Sequence, residues 1–432
     1  MTAISLPADA AAPIAPAAYL PINKVFAVGL GNALEFYDFL TFSFFAVQIG
    51  HCFFPASQTT HGLLYTLATF GLGFVTRPLG GLIIGRLGDR VGRKPAMLLT
   101  FMLMGVAITG LALTPSYAQI GIAAPILLLL FRLVQGFALG GEVGPSTAFL
   151  IEAAPPHRRG LYLALQFATQ DAAILAAGLV GFALSSWLAP AQLDAFGWRI
   201  AFLLGASIVP VGLMIRRTLP ETLVAHERET AAPADRRVPI GAVALGLMML
   251  AGMTICAYGL QYIGTYAQDS LHLSAHLAFG GTICLGLCSL VGDFTSGPVS
   301  DRFGRKPVML TAAVLMMLVL VPAFMAMHHV KSALVIYAAT AVLSILQGFG
   351  SGPALMTTTE LLPKLVRSST LGTLYAVAIS VFGGSTQFVV KWLGELTGDP
   401  LTPGWYMTGA LAVAFTAMLI VRETAPVKTG RL

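Results

Sequence analysis

Apolar positions in this chain run on for twenty or more residues at a time instead of alternating with polar ones. A helix that crosses a bilayer needs about 20 consecutive, mostly apolar residues. Twelve stretches meet that length: 23–50, 62–86, 95–114, 121–147, 160–188, 198–216, 240–267, 274–298, 307–327, 332–356, 368–393 and 404–421. They are numbered here as spans 1 to 12. The pattern predicts an all-α membrane protein with twelve transmembrane helices.

Polar residues gather in the connections, and their sign is not even. Most of the 25 lysines and arginines fall into one set of connections. These are Lys24; Arg86, Arg90, Arg93 and Lys94; Arg158 and Arg159; Arg216, Arg217, Arg228, Arg236 and Arg237; Arg302, Arg305 and Lys306; Lys364 and Arg367; and Arg422, Lys428 and Arg431. The alternate connections hold almost none. The positive-inside rule then places both termini in the cytoplasm. The longest charged stretch reads as a linker between two six-helix halves. The expected divisions are a cytoplasmic tail 1–22, an N-terminal half 23–217, a linker 218–238, a C-terminal half 239–424 and a tail 425–432.

The chain is 56% hydrophobic and 10% charged. Soluble domains carry about 25% charge, so lipid is the expected solvent. The net charge of +6 follows from the basic connections and calls for no nucleic acid. Residues 1–20 lack the basic start and cleavage pattern of a signal peptide. Cys284 and Cys288 lie one helical turn apart, a spacing that fits small residues at a helix contact. No metal or cofactor is expected. No Walker lysine motif occurs, which argues against ATP-driven transport. The eight histidines form no HExxH and no nucleophile–base pattern stands out, which argues against an enzyme.

The two halves repeat each other. Gly85-Arg-Leu-Gly-Asp89-Arg90-Val-Gly-Arg93-Lys-Pro parallels Gly297-Pro-Val-Ser-Asp301-Arg302-Phe-Gly-Arg305-Lys-Pro, offset by 212. Gln135-Gly136-Phe137 parallels Gln347-Gly348-Phe349 at the same offset. Glu152-x-x-Pro155-x-x-x-Arg159 parallels Glu360-x-x-Pro363-x-x-x-Arg367. A duplicated six-helix half implies a pseudo-twofold axis along the membrane normal and a binding site between the halves near the midplane.

The Asp-Arg-x-Gly-Arg-Lys loop, present twice, resembles the signature of the major facilitator superfamily. Narrower motifs are similar to those of its metabolite:proton symporters, the citrate–proton symporters in particular. They are Gly31-Asn32-x-x-Glu35-x-x-Asp38-Phe39, Arg77-Pro78-x-Gly80, Arg132-x-x-Gln135-Gly136-Phe137, Gly197-Trp198-Arg199-Ile200, Phe382-Gly383-Gly384 and Leu396-Thr397-Gly398-Asp399. The resemblance implies a monomeric carrier of the bacterial inner membrane that moves protons with a small organic anion.

Ionisable groups inside the spans carry the candidate chemistry, because each costs about 2.5–3.5 kcal/mol at the bilayer centre on insertion scales. At 1.5 Å rise per residue, Glu35 lies roughly 16 Å into span 1 and Asp38 roughly 21 Å, while Arg132 lies roughly 16 Å into span 4. These three share a depth. Asp38 is the expected proton carrier and Arg132 the group that sets its proton affinity, with Glu35 as a further acid. A static salt bridge is the plain alternative. The positions 212 residues after Arg77 and Arg132 are Ser289 and Ser344, so the repeated scaffold itself does not require those charges.

Substrate contacts are expected from Arg77, whose guanidinium matches a carboxylate in a bidentate fork, and from Asn32, Gln135, Gln166, Gln170 and Asp171. Asp171 departs from the citrate-type pattern. It can be a second protonation site, a partner for an arginine, or the mark of another substrate. The C-terminal half offers Tyr258, Gln261, Tyr262, Gln347, Tyr375 and Ser380, the aromatic and polar mixture that lines small-ligand sites. Packing is the plain alternative for each. Lys391, near the end of span 11, is expected to extend its ammonium to the interface, and Asp293 on span 8 to belong to a gate. The repeated loops supply the gate: Asp89, Arg90, Arg93, Glu152 and Arg159, then Asp301, Arg302, Arg305, Glu360 and Arg367. Glu360 is expected to pair with Arg367.

Citrate or a related di- or tricarboxylate is the first expectation for the substrate. A keto acid, an aromatic acid or a zwitterionic osmolyte is the alternative, since relatives carry these with similar motifs. Drug export fits less well, because span 5 reads Ala176-Ala177-Gly178-Leu179-Val180-Gly181 without the proline of such exporters.

Overall fold

The computed structural model describes residues 33, 36–54, 61–90, 93–140, 159–218 and 239–429. All of the regular structure among them is helical. Eight of the described helices are long and apolar enough to cross a membrane: Gly62–Ile84, Phe167–Trp187, Ile240–Gln261, Ala275–Phe303, Arg305–Val330, Ala333–Glu360, Thr370–Thr397 and Thr402–Ile420. They correspond to spans 2, 5 and 7 to 12. Span 1 is helical over 36–53, span 3 over Leu98–Leu113, span 4 over Ala123–Leu139 and span 6 over Trp198–Thr218. Each of the twelve predicted spans thus has a helical counterpart.

Several helices run past the expected ends. Span 8 continues through the repeated loop to Phe303, and span 10 extends to Glu360. The apolar pattern marks only the lipid-facing length, whereas backbone hydrogen bonding continues into the polar turn beyond it. Trp187, Ile240 and Leu334 are about four-fifths exposed. Water would make such a surface an aggregation site; a bilayer accommodates it.

Within the N-terminal half, span 3 packs against spans 4 and 6, and span 2 against span 4. In the C-terminal half, span 10 packs against spans 8 and 9, and span 12 against spans 7 and 9. Span 5 lies along span 8 to form the longest seam between the halves. Span 2 meets span 11 in another seam.

Four of the described spans are discontinuous. Span 1 has a turn at Phe45, ahead of Ala46–Phe53. Span 2 breaks between Gly62–Leu72 and Arg77–Arg90. Span 7 breaks at Tyr262, between Ile240–Gln261 and Ile263–Asp269. Span 11 passes through a π-helical stretch, Ala378–Gly383, between Lys364–Val377 and Gly384–Thr397. Irregular backbone inside a membrane helix frees carbonyls and amides, so it is tolerated only where protein or a cavity covers it. The break in span 2 lies where Gly73 crosses Gly136 of span 4. A side chain on Gly136 would run into the Gly73 carbonyl and the Thr76 hydroxyl. That approach lets Thr76 Oγ1 donate to the Leu133 carbonyl at 2.6 Å.

Arg199 of the Gly-Trp-Arg motif shows how a polar group secures a span end. Its guanidinium donates to the carbonyls of Ala112 and Thr114 at 2.7 and 2.6 Å, closing the last turn of span 3. It also sits over the Trp198 ring at 4.3 Å, and Trp198 is fully buried against Phe53.

Candidate functional site

Asp38 on span 1 and Arg132 on span 4 are both fully buried, but they do not touch directly. Gln135, one turn beyond Arg132, stands between them. Its Oε1 accepts from Arg132 Nη1 at 2.7 Å, and its Nε2 donates to Asp38 Oδ2 at 2.5 Å. The i, i+3 spacing that puts Arg132 and Gln135 on one helix face makes the bridge possible. Asp38 Oδ1 and Arg132 Nε and Nη2 lack hydrogen-bond partners.

The rest of the arginine is held by aromatic rings. Its guanidinium carbon lies 4.4 Å from the Phe39 centroid, 4.5 Å from Phe42 and 5.2 Å from Phe70. Phe39 also packs edge-on to Phe74 at 4.5 Å. Negative ring faces stabilise a desolvated cation by about 2 kcal/mol or more. The sequence reading did not single out these phenylalanines. Their signal was there in the helical spacing of Phe39 with Phe42 and of Phe70 with Phe74 around two buried charges, but the same spacing describes ordinary packing.

Arg77, one turn beyond Phe74 on span 2, opens a second polar cluster. It is buried, with its guanidinium 5.5 Å from the Phe74 ring. The Tyr258 hydroxyl of span 7 and the Tyr375 hydroxyl of span 11 lie near its guanidinium. Tyr375 in turn meets Gln170 of span 5. The Phe74 and Tyr258 rings lie 5.7 Å apart. Four spans from both halves thus converge on one cation, two phenols and an amide.

Other predicted contacts are placed differently. Ser380 donates to the Phe74 carbonyl at 3.1 Å, within the π-helical stretch, and so ties span 11 to span 2. Gln347 donates to the Met253 carbonyl at 2.9 Å. Tyr262 is buried beside Tyr266. Gln261 is buried with an unpartnered Oε1. Asp171 faces Asp293 of span 8. Asn32 and Glu35 lie outside the described residues, as does the Gln166 side chain.

Beyond the site, at the end carrying the connections after spans 1, 5 and 7, the halves close on each other. Gln387 Nε2 donates to Ser43 Oγ at 2.7 Å, and Gln48 Nε2 donates to Gln268 Oε1 at 2.8 Å. Phe45 meets Phe279 at 4.7 Å, and His276 packs on Phe182 at 4.0 Å. A side chain on Gly71 would lie 2.6 Å from the Gly384 carbonyl. His61 Nδ1 and Glu395 Oε2 are 3.3 Å apart. Lys391, expected to extend its ammonium toward the interface, pairs with Asp269 at the end of span 7 at 2.6 Å and with Glu395 at 3.4 Å. Nearby, the hydrogen bond that His51 Nδ1 donates to the Asp194 carboxylate raises the imidazole above its ordinary value, against the opposing effect of burial.

At the opposite end, the second copy of the repeated loop is described in full. Arg305 is wholly buried; it binds Asp301 at 2.6 Å, Ser300 Oγ at 2.9 Å and Glu360 at 3.7 Å. Glu360 was expected to pair with Arg367, whose side chain is not described; in the structure it faces Arg305, which the left-handed Gly304 (φ 107°) turns inward. Arg302 remains exposed, 5.4 Å from the Phe303 ring. Glu423, just past span 12, receives the backbone N–H of Arg305 at 2.9 Å and of Lys306 at 3.0 Å. It caps the start of span 9 and was not foreseen. The matching first-copy groups Asp89, Arg90, Arg93, Glu152 and Arg159 lie outside the described side chains.

The family model for the Major Facilitator Superfamily matches residues 25–386. The chain belongs to this superfamily. It is 35% identical to the citrate-proton symporter of Klebsiella pneumoniae, over 99% of both chains. It is 34% identical to the alpha-ketoglutarate permease of Escherichia coli (strain K12), over 91% of this chain and 92% of that one. It is also 31% identical to the glycine betaine/proline/ectoine/pipecolic acid transporter OusA of Dickeya dadantii (strain 3937), over 93% of this chain and 83% of that one. A solved D-xylose-proton symporter has the same fold, with a TM-score of 0.75, 17% identity and coverage of 95% of this chain and 99% of that chain. These relatives are carriers, so the superfamily member described here is a multi-pass membrane transporter and not an enzyme.

Proposed function

We propose that the chain is a proton-coupled symporter that takes up a small organic anion, citrate or a related di- or tricarboxylate, by alternating access. The supporting observation is the adjacency of two clusters. The Gln135-bridged Asp38 and Arg132 form a buried acid–base pair, and Arg77 with Tyr258, Tyr375 and Gln170 forms a polar cluster one turn away. Phe74 touches both clusters, with its ring packed on Phe39 and against Tyr258.

In this reading, Asp38 takes up the transported proton. As a carboxylate it is the natural acceptor for the Gln135 amide and is attracted through it to Arg132. As a neutral acid it loses most of that attraction, leaving Arg132 to its aromatic cage. Span 1 then moves more freely against span 4. The anion, held by Arg77 and the phenols, links span 2 to spans 7 and 11. Its binding favours whichever arrangement brings those three spans together, and a ligand shifts an equilibrium only by such differential affinity.

With both termini in the cytoplasm, the closed end seen here faces outward, and opening proceeds at the end of the repeated loops. Asp301, Arg305 and Glu360, with their first-half counterparts, are then the gating groups of the cytoplasmic side.

A second reading is favoured by the charge count. Among the described residues of the polar cluster, Arg77 is the one cation, which suits a substrate of one or two carboxylates. A 2-oxo dicarboxylate would place one carboxylate on Arg77 and accept from the tyrosine hydroxyls through its carbonyl.

Uptake of labelled citrate and of labelled 2-oxoglutarate into proteoliposomes, under an imposed inward proton gradient, tests both readings. Gradient-driven uptake that Asp38→Asn abolishes supports the symport reading. Uptake equal in the variant refutes the role of Asp38. No accumulation of either anion by correctly inserted protein refutes the anion assignment.

A further inference from the structure

Spans 5 and 8 run antiparallel with almost no space between them. A side chain on Gly178 would meet the Thr282 and Ile283 backbone, and one on Gly286 would meet the Leu175 backbone. Each step up span 5 is matched by a step down span 8, so the turn of span 5 before Leu175 faces the turn of span 8 after Gly286. Asp171 and Asp293 occupy those turns, and their carboxyls lie within hydrogen-bonding reach of each other.

Asp293 is 3% exposed, and its Oδ1 has no hydrogen-bond partner. The space beside that oxygen is bounded by Gly348 of span 10, where an added Cβ would lie 3.0 Å from Oδ1. Span 10 brings Ile345 and Phe349 to the same place, against Gly292, and neither carries a charge. Ser296 donates to the Asp293 carbonyl and not to its carboxyl. Gln170, next to Asp171, is turned toward Tyr375. The ion pairs among the described residues include no lysine, arginine or histidine joined to either aspartate. The acid facing Asp293 from span 5 is Asp171, and the acid facing Asp171 from span 8 is Asp293.

Two carboxylates in contact, one buried and one half-buried, repel strongly where no cation joins them, and such pairs hold one proton between them. We infer that Asp171 and Asp293 share a single proton, and that this proton is a latch between the two halves, separate from the transported proton on Asp38. With the proton present, one carboxyl donates to the other carboxylate in a charge-assisted O–H···O⁻ bond, which is short and strong. When the seam parts, the O–H bond breaks, the proton passes to water and both groups become hydrated carboxylates. Re-closure requires one of them to regain a proton. Asp171 therefore serves the seam and does not contact the substrate. The consequence for transport rests on the symport reading above, whereas the shared proton does not.

The test uses the full-length protein in liposomes without citrate. Infrared difference spectra across a pH titration, in H2O and D2O, are recorded in an Asp38→Asn background so that the Asp38 carboxyl contributes nothing. The expected result is a protonated-carboxyl C=O band that shifts in D2O and is lost in both the Asp171→Asn and the Asp293→Asn variant. Persistence of the band in both variants overturns the assignment. Should those variants fail to fold, spin labels at Trp187→Cys and Leu273→Cys, in protein that keeps both aspartates and has its four native cysteines replaced by serine, report the seam directly. The label distance is expected to lengthen as pH rises at fixed sodium. A distance insensitive to pH overturns the latch, and so does one that follows sodium at constant pH, which would put a metal cation between the carboxylates. Citrate uptake plays no part in either readout, so failure of the anion assignment leaves the latch testable.

Discussion

Gln135 donates to Asp38 at 2.5 Å while accepting from Arg132 at 2.7 Å, so the two buried charges communicate through an amide and not by contact. A direct salt bridge in an apolar setting would hold both side chains in one geometry. An amide between them can release either partner without leaving the other stranded against an opposite charge.

Replacing Gln135 with alanine removes both bonds at once. Hydrogen bonds to charged groups are worth about 1.5–3 kcal/mol. Proton-driven accumulation is therefore expected to fall by about 10- to 100-fold, while exchange of labelled for unlabelled substrate at equal pH persists. Comparing gradient-driven uptake with counterflow in the same liposomes checks it; equal loss in both assays would mean that the site had collapsed.

Arg132→Lys keeps the charge but not the plane. Lysine cannot lay a delocalised fork across Phe39, Phe42 and Phe70 and still reach Gln135. The substitution is expected to abolish coupled uptake and to lower the thermal midpoint. Phe42→Leu removes one ring of three and costs about 0.5–2 kcal/mol, so partial activity should remain. Scanning fluorimetry alongside uptake separates the two effects.

Gly71→Ala places a methyl group where the Gly384 carbonyl lies 2.6 Å away. Backbone cannot yield cheaply, and overpacking costs about 1–3 kcal/mol. That penalty falls only on the arrangement in which spans 2 and 11 touch, shifting the closed-to-open ratio by about 5- to 150-fold. Labelling of Gln48→Cys by an impermeant maleimide, in protein lacking its four native cysteines, should accelerate in the Gly71→Ala background.

Glu423 carries a pH dependence outside the membrane. Partial burial alone would raise its carboxyl, but the N–H groups of Ala425, Arg305, Lys306 and Thr424 outweigh that and hold it below the ordinary glutamate value of 4.5. A folded-state value lowered in this way gives stability that is fully present above 4.5 and lost as pH falls through the lowered value. Glu423→Gln should cost about 1 kcal/mol at neutral pH, the usual worth of a lost cap. The difference from the unaltered protein should shrink in acid, which thermal unfolding at pH 7 and pH 3.5 would show.

Much of the fold was legible because length and apolarity are one-dimensional quantities. Twelve runs, one repeated loop and one sign of charge led to twelve helices in two halves. The site was legible only where charge is expensive. Asp38, Arg132 and Arg77 stood out because lipid penalises them, and the structure brings each to a cluster. Tyr258, Tyr375 and Gln170 were named among many polar residues and proved to converge. Tyr262 and Gln347 looked the same in sequence and proved to be packed within their own half. The partners that span the fold were not legible. Ser43 with Gln387, Lys391 with Asp269 and Glu423 with Arg305 are set by which helices adjoin, and no local pattern encodes adjacency. The breaks in spans 1, 2, 7 and 11 were equally hidden, since apolar composition reads through a turn or a π stretch without change.

The cap on span 9 also bears on how the protein is made. Arg305 and Glu423 are 118 residues apart, so at roughly 5–20 residues per second the ribosome needs on the order of ten seconds to supply the carboxylate after the helix it caps. Until then the second loop has Asp301 and its buried arginine but no acid on its amides, so the start of span 9 is the last helix end of the C-terminal half to receive its cap.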